Sequence, residues 1–459
     1  MKRHCAADLR FPRVMIQTLG CAKNAVDSET LAGLLKQGGF EYVSRDADAD
    51  IVVVNTCGFI DDAKVESIQV ILEAIRWKQA RKGRRVYAMG CLTQRDGPEI
   101  KEEIPELDGV FGIGEWSSML AALGANPLSL AGSGNVTLYS GKAGPGSAYL
   151  RISDGCSHAC AFCAIPQMRG LYRSEPMEKL IEEARLLART GVRELLIIGQ
   201  ETTSYGVDLY RKRMLVDLCN RLSDINGIEW IRILYAHPPS APPKFMSELA
   251  RVPKLAPYID FPIEHASDKM LKLMNRKTSA SKMQDSIAAF RDNRNDVCVR
   301  TTVLVGFPGE DETDFEDLYE FMEKVKFERA GVFTYSPQSG TTGAELRDHV
   351  EEGVALDRLD RLMKLQKSIC LERNKELVGA VIPVIVERNV RDISWGRSEW
   401  DAPDIDALVR VRGQLAPGLI HQVKVTGAAA YQLDAVPEHP DGTERSIACE
   451  AFALPVLRH

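Results

Sequence analysis

The segment CSHACAFC sets Cys156, Cys160 and Cys163 three and then two residues apart. A tight loop with that spacing can place three thiolates on three corners of an iron-sulfur cubane, leaving the fourth iron open to a small molecule. A zinc site would need a further ligand, for which His158 is the nearest candidate; otherwise His158 reads as a solvated loop residue. Three more cysteines, Cys21, Cys57 and Cys91, recur about one strand-helix unit apart, each at the end of a short apolar segment. Three thiolates suit a second iron-sulfur cluster with one open iron, whereas a closed zinc site more often recruits a fourth protein ligand. The plain alternative is three small hydrophobes that end three strands, since free cysteine is often buried. Cys5, Cys219, Cys298, Cys370 and Cys449 fall outside any ligand-spaced motif, and Cys219 and Cys298 sit in apolar periodic segments as core residues would.

The elements that must position these thiols follow from hydrophobic periodicity. VMIQTLGC, DIVVVNTC and RVYAMGC lie between helix-like stretches such as NAVDSETLAGLLKQGG and DDAKVESIQVILEAIRWKQA, an alternation that predicts a parallel α/β sheet. Ligands in such sheets gather beyond the carboxyl ends of the strands, where Cys21, Cys57 and Cys91 would converge. AYLRISDG leads into CSHACAFC, and ELLIIGQE, WIRILYAH, YIDFPIEHA, VRTTVLVGFP and GVFTYSP alternate with amphipathic helices such as EPMEKLIEEARLLART. About six β/α units make a partial barrel whose active face lies at the strand C-termini. From about Arg373 the alternation stops, and AVIPVIVER, LVRVR, HQVKVTG and AYQLDAV read as short strands of a small barrel. The expected fold is α/β, with an N-terminal parallel sheet domain (11–128), a central partial (β/α)6 TIM-like barrel (142–372) and a small C-terminal β-barrel (373–440).

A chain of 459 residues would divide into about two to four domains. Its 45% hydrophobic and 27% charged residues describe a folded protein, and a net charge of -6 gives no global reason to expect a nucleic-acid or membrane-surface binder. No apolar run approaches the ~20 residues of a bilayer span, and no stretch of signal-peptide length opens the chain, so a cytoplasmic protein is expected. Eleven cysteines in that compartment point to metal or redox chemistry rather than a disulfide framework.

CSHACAFC matches the signature of the radical S-adenosylmethionine enzymes, which the chain resembles. The resemblance implies that the open iron chelates the amino and carboxylate groups of S-adenosylmethionine, with Phe162 packed near the adenine. Gly199-Gln200-Glu201 looks like the family's Gly-Gly-Glu element, which receives the methionine amino group, with Gln200 in place of the second Gly; a βα turn with a helix cap is the alternative. Glu264, His265 and Gly306, at later strand ends, would face the cofactor or be solvated.

The N-terminal cysteines narrow the resemblance to the methylthiotransferases, which carry two 4Fe-4S clusters and insert a methylthio group into an unactivated C–H bond. LGCAKNAVDSE, NTCGFIDDAKVESI, GCLTQR, MLKLMNR, VLVGFPGE and FTYSPQSGT look like segments of that family along nearly the whole chain. CAKNAVDSE, FIDDAKVESI and GVFTYSP resemble the RimO branch, which modifies an aspartate β-carbon of ribosomal protein S-twelve. The alternative is the MiaB branch, which modifies adenosine in tRNA. Gln338 stands where the RimO-like form has Glu. By this resemblance all six cysteines are catalytic cluster ligands, and an electron donor and a sulfur donor are partners.

The C-terminal barrel resembles the TRAM module. Residues 373–440 carry eight basic and nine acidic side chains, where a barrel built to hold a tRNA backbone should be basic. The loop SWGRSEWDAPDID concentrates Glu399, Asp401, Asp404 and Asp406, a sign that suits a basic protein substrate, unless the loop is simply a solvated acidic turn.

Overall fold

The computed structural model describes residues 11–125, 143–294 and 296–438. Strands β1 (Arg13–Thr18), β2 (Glu41–Tyr42), β3 (Ile51–Thr56), β4 (Arg85–Gly90) and β5 (Gly109–Phe111) form a parallel sheet in the order β2-β1-β3-β4-β5. Central β3, IVVVNT, is buried at every position, as a β-branched run covered on both faces should be. Around it lie helices α1 (Ala22–Gln37), α2 (Asp61–Gln79), α3 (Cys91–Glu103) and α4 (Trp116–Leu123). Helix α2 turns Ser67, Ile71, Ala74 and Ile75 inward at helical spacing, with Asp61 and Asp62 in its first turn and Arg76 and Lys78 in its last, each opposing the helix dipole. The chain order reverses between β1 and β3, and the loops leaving those two strands carry Cys21 and Cys57.

The second sheet holds β6 (Ser147–Arg151), β9 (Glu194–Ile198), β10 (Trp230–Ile233), β11 (Leu255–Asp260), β12 (Cys298–Val305) and β13 (Arg329–Thr334), with the two-residue strands β7 (Ser153–Asp154) and β8 (Arg173–Ser174) paired beside it. Its order, β13-β12-β11-β10-β9-β6, is parallel throughout and open between the ends, the partial six-stranded barrel that the repeated β/α units predict. Outer helices pack apolar stripes on it; Met177–Arg189 buries Met177, Leu180, Ile181, Ala184 and Leu187. Cys219 and Cys298 are core residues, and Cys370 is buried as well.

Strands β14 (Val381–Val390), β15 (Ile393–Ser398), β16 (Leu408–Arg412), β17 (Ile420–Ala429) and β18 (Gln432–Pro437) close into a small barrel. Inward and outward residues alternate along its strands, as in HQVKV of β17. Helix Glu352–Glu376 runs past Arg373, so the change from helix to strand comes a few residues later than the sequence suggests. Asn374 holds that last turn by donating to the carbonyls of Ala429 (2.7 Å) and Ala430 (3.0 Å). The boundaries expected at 128, 142 and 440, with Cys5 and Cys449, lie outside the described residues. Among the described residues no helix is long and apolar enough to cross a membrane.

The acidic loop of the third domain departs from expectation. Asp401 is fully buried and pairs with Arg329 at 2.9 Å. Asp406 accepts from the Tyr258 hydroxyl at 2.8 Å and lies 3.5 Å from Arg300. These two carboxylates therefore satisfy barrel cations instead of facing a substrate, and only Asp404 of the four is exposed. Arg397, also buried, pairs with Glu194 (2.7 Å) and Glu387 (2.5 Å) and donates to the Ser147 hydroxyl (3.1 Å). Inside the barrel, one apolar cluster joins Leu196, Ile198, Leu234 and Tyr258 to Ala22 and Val26 of α1 and to Trp400 and Ala402 of the acidic loop, so all three domains meet there.

Candidate active site

Each N-terminal cysteine is placed by a strand end and a close glycine. Gly20, at φ +82°, has no Cβ where one would meet the Cys57 Cβ and Sγ at 2.8 Å. Gly90, at φ +115°, leaves room for the Thr56 carbonyl, which a Cβ would approach to 2.5 Å. The two glycines thus bring the loops of Cys21 and Cys91 against the segment Thr56-Cys57. Cys21 caps α1 and Cys91 opens α3, positions where the helix dipole favours a thiolate. Asn24 ties the set together by donating to the carbonyls of Leu19 (2.9 Å) and Thr56 (3.0 Å), with its Oδ1 3.5 Å from the Cys91 sulfur.

The loop from Cys156 to Cys163 follows β6 and β7 at the C-terminal end of the barrel. MLKLMNR and SGTTG strap it down: Ala161 donates to the Met274 carbonyl (3.0 Å), Asn275 donates to the Ala159 carbonyl (2.6 Å), and Gly343 donates to the Ala161 carbonyl (2.7 Å). Phe162 packs in the cluster that contains Met270, Met274 and Phe307. Arg276, which ends MLKLMNR, has a guanidinium nitrogen 3.7 Å from the Cys160 sulfur.

Burial pushes the Cys91 and Cys156 thiols up to about 11 and Cys163 up to about 12, so binding a cation there must displace protons. Cys21 differs: burial raises it, yet Lys23, the Asn24 amide and Arg169 together bring it down. Among the described residues no three His, Cys, Asp or Glu side chains are grouped to hold a single metal ion. Thiolates on one zinc at about 2.3 Å each would meet within about 4 Å, whereas a cubane carries them on separate irons. Three thiolates are a donor set that a cubane with one open iron accepts, whereas a closed zinc site takes a fourth protein ligand.

The two sets are linked by a residue that sequence reasoning passed over. Arg169, in the short helix Ile165–Arg169 after CSHACAFC, donates to Asp27 (2.7 Å) and Asn24 (2.9 Å) of α1 and lies 3.7 Å from the Cys91 sulfur. Asp27 also pairs with Arg151 at 2.5 Å. Asn24 and Asp27 belong to the quoted CAKNAVDSE, but no local pattern names their partner.

The remaining predicted contacts fall in different places. Glu201 is buried and accepts from the N–H groups of Thr203 (2.6 Å) and Ser204 (3.0 Å) in the turn after β9, while the next helix, Val207–Tyr210, has Gly206 at its N-cap. His158, in the loop and with its side chain 31% exposed, also stacks on His237 with ring centres 3.9 Å apart, and its Nε2 is 3.7 Å from Glu201. Beside that stack, the Gln200 amide and both His237 nitrogens are buried with no hydrogen-bond partner in the protein, as are Arg276 Nε and the Tyr335 hydroxyl. Buried polar atoms left unpaired at the strand C-termini are what a polar ligand would satisfy, and so the site fits S-adenosylmethionine. Glu264 has φ of 66°; burial pushes its carboxyl up, with Arg276 opposing. His265 neither faces this space nor meets solvent: its Nδ1 accepts from the N–H groups of Ala266 and Ser267, and its Nε2 lies 3.5 Å from Glu310. Gly306 is required by packing, since a Cβ would come within 2.7 Å of Ala355, and its N–H donates to Glu310. Gly199 follows β9 and lies against Ser153.

Comparison with known proteins places three matches along the chain. Residues 13–112 match the family described as "Uncharacterized protein family UPF0004", residues 150–322 the radical SAM superfamily, and residues 378–437 the TRAM domain. The protein named ribosomal protein uS12 methylthiotransferase RimO from Caldanaerobacter subterraneus is 42% identical, over 93% of this chain and 99% of its own. Its namesake from Chlorobium phaeovibrioides is 40% identical, over 92% of this chain and 96% of its own. Among solved structures, the radical S-adenosylmethionine methyltransferase TsrM from Kitasatospora setae, with cobalamin and a 4Fe-4S cluster bound, aligns with a TM-score of 0.54 at 13% identity, over 84% of this chain and 80% of that one. That likeness concerns the fold.

Proposed function

The chain belongs to the ribosomal protein uS12 methylthiotransferase (RimO) family of radical SAM enzymes, and from that premise we propose that it methylthiolates the β-carbon of an aspartate of that ribosomal protein. One 4Fe-4S cluster would sit on Cys156, Cys160 and Cys163, and a second on Cys21, Cys57 and Cys91. The observation that carries this reading is Arg169, which follows the cysteine loop at the strand ends of the barrel and reaches Asp27 and the Cys91 sulfur of the N-terminal sheet domain.

A C–H bond beside a carboxylate is not acidic enough for a side-chain base near neutral pH. S-adenosylmethionine and the clusters, when bound, supply the one-electron and sulfur chemistry that side chains lack. The chain's own residues bind and orient. Six thiolates hold iron, Arg169 and Arg276 offset thiolate charge at Cys91 and Cys160, and Phe162 gives an apolar wall beside the cysteine loop. Gln200 and His237 offer unpaired polar atoms to the cofactor, and Gly199, Glu201 and Glu264 shape the strand ends around it. The buried walls exclude water and oxidants. An external electron donor and a sulfur donor complete the partners.

The tRNA alternative draws no support from the relatives, whose names specify the ribosomal protein. Intact-mass analysis of that protein and of total tRNA nucleosides, from cells with and without the gene, tests the reading. Loss of about 46 Da, one methylthio group in place of hydrogen, is expected from the protein alone; loss from tRNA adenosine alone overturns it.

A further inference from the structure

Lys23 stands two residues after Cys21, whose thiol it helps draw down, is 7% exposed, and among the described residues forms no ion pair with a carboxylate. Its Nζ lies 3.4 Å above the centre of the Tyr235 ring. The nearest acidic neighbour on the same helix, Asp27, is taken by Arg151 and Arg169. Burial opposes the charge while Tyr235 and Cys21 favour it, yet among the described residues no carboxylate pairs with the ammonium, which leaves it donors for a substrate anion.

The platform under Lys23 belongs to the barrel. Tyr235 follows β10 with φ of 61°, its N–H donates to Asp260 at 3.0 Å, and its carbonyl accepts from the Thr202 N–H at 3.2 Å, so the backbone fixes where the ring stands. His237, with its unpaired nitrogens, comes two residues later. Ala22 and Val26, on either side of Lys23, enter the apolar cluster inside the barrel. Arg169 already meets the Cys91 sulfur, whereas the Lys23 ammonium turns toward the barrel strands.

We propose that Lys23 is the specificity-determining residue that receives the carboxylate of the substrate aspartate and holds that side chain between the two cysteine triads. This rests on the substrate reading above. The carboxylate adjoins the carbon to be modified, and in a water-poor site it needs a paired cation with hydrogen-bond donors, which an ammonium supplies threefold. An asparagine in its place could still accept a hydrogen bond but would leave the ammonium's charge uncompensated, so the same contact discriminates against the amide.

The test uses reconstituted full-length holoenzyme and two peptides of the aspartate-bearing loop, one with Asp and one with Asn at the target. Wild type should bind the Asp peptide at least about tenfold more tightly than the Asn peptide. Lys23→Met should remove that preference while iron content and cluster absorbance stay at wild-type levels, and Lys23→Arg should restore part of it. A Lys23→Met enzyme that still prefers Asp overturns the proposal, as does one that loses iron, because Lys23 then serves the cluster. A wild-type enzyme that modifies tRNA adenosine and neither peptide defeats the substrate reading itself, and the proposal with it.

Discussion

Arg169 donates to Asp27 at 2.7 Å with side chains only 1% and 2% exposed, and so joins the cysteine loop of the barrel to the first helix of the N-terminal domain. Removing one partner of a buried pair typically costs up to about 3–5 kcal/mol, and Arg151, still 2.5 Å from Asp27, offsets part of that here. Arg169→Ala should therefore lower the thermal midpoint of the holoenzyme by several degrees or more and reduce iron retention at Cys21, Cys57 and Cys91. An unchanged scan with full iron would refute the link.

The two triads should separate in iron counts and in partial reactions. Cys57→Ala should hold about half the wild-type iron and still cleave S-adenosylmethionine under reducing conditions, with methylthiolation lost. Cys156→Ala should also hold about half, with cleavage lost as well. Full methylthiolation by Cys57→Ala would remove the second cluster from the mechanism.

Docking of the small barrel should weaken in acid. Burial opposes ionisation of Glu194, but Arg397 and Arg232 hold its carboxyl at about 2, below the ordinary 4.5. A depressed carboxyl stabilises the fold fully above its unfolded value, so this contribution falls between pH 4.5 and about 2. Glu194→Gln should lower stability at neutral pH and flatten that part of the stability profile. A variant whose profile parallels the wild type over that range would contradict the assignment.

Gln338 accepts from Arg95 at 3.2 Å and donates to Asp61 at 3.4 Å, tying the barrel to α2 and α3. The amide suits that double role better than the Glu of the related form, which could only accept. Gln338→Glu should cost about 1 kcal/mol by facing Asp61 with a like charge, and Asp61→Asn should recover it in a double-mutant cycle. Additive effects would show that the two residues do not interact.

A methyl group at Gly90 would strike the Thr56 carbonyl, and φ of +115° resists any other residue. Gly90→Ala should shift Cys91 and lower iron at its triad while leaving the iron at Cys156, Cys160 and Cys163 in place. Equal loss from both triads would instead indicate general misfolding.

The parallel strands, their order of appearance and the cysteines at their ends were legible because each is written in a contiguous, periodic stretch. DIVVVNTC announces both β3 and the thiol that leaves it. Arg169 was not legible, because its meaning lies in Asp27 and Cys91, far away in sequence and on helices of another domain. Asp401 and Asp406 misled for the same reason: four acids in one loop look like a surface until Arg329 and Tyr258 arrive from strands that composition cannot align with them. His265 and Gly306 sit at strand ends as expected, but Ser267, Glu310 and Ala355 decide what they do there.

The acidic loop also gives the two ends of the barrel different duties. Trp400 and Ala402 lie among the residues that line the barrel, and Asp401 and Asp406 are fastened to its strands, so the third domain packs against that end. That end of the barrel is thereby committed to holding the third domain in place, and the opposite end, where the cysteine loop follows β6 and β7, is the one left for chemistry.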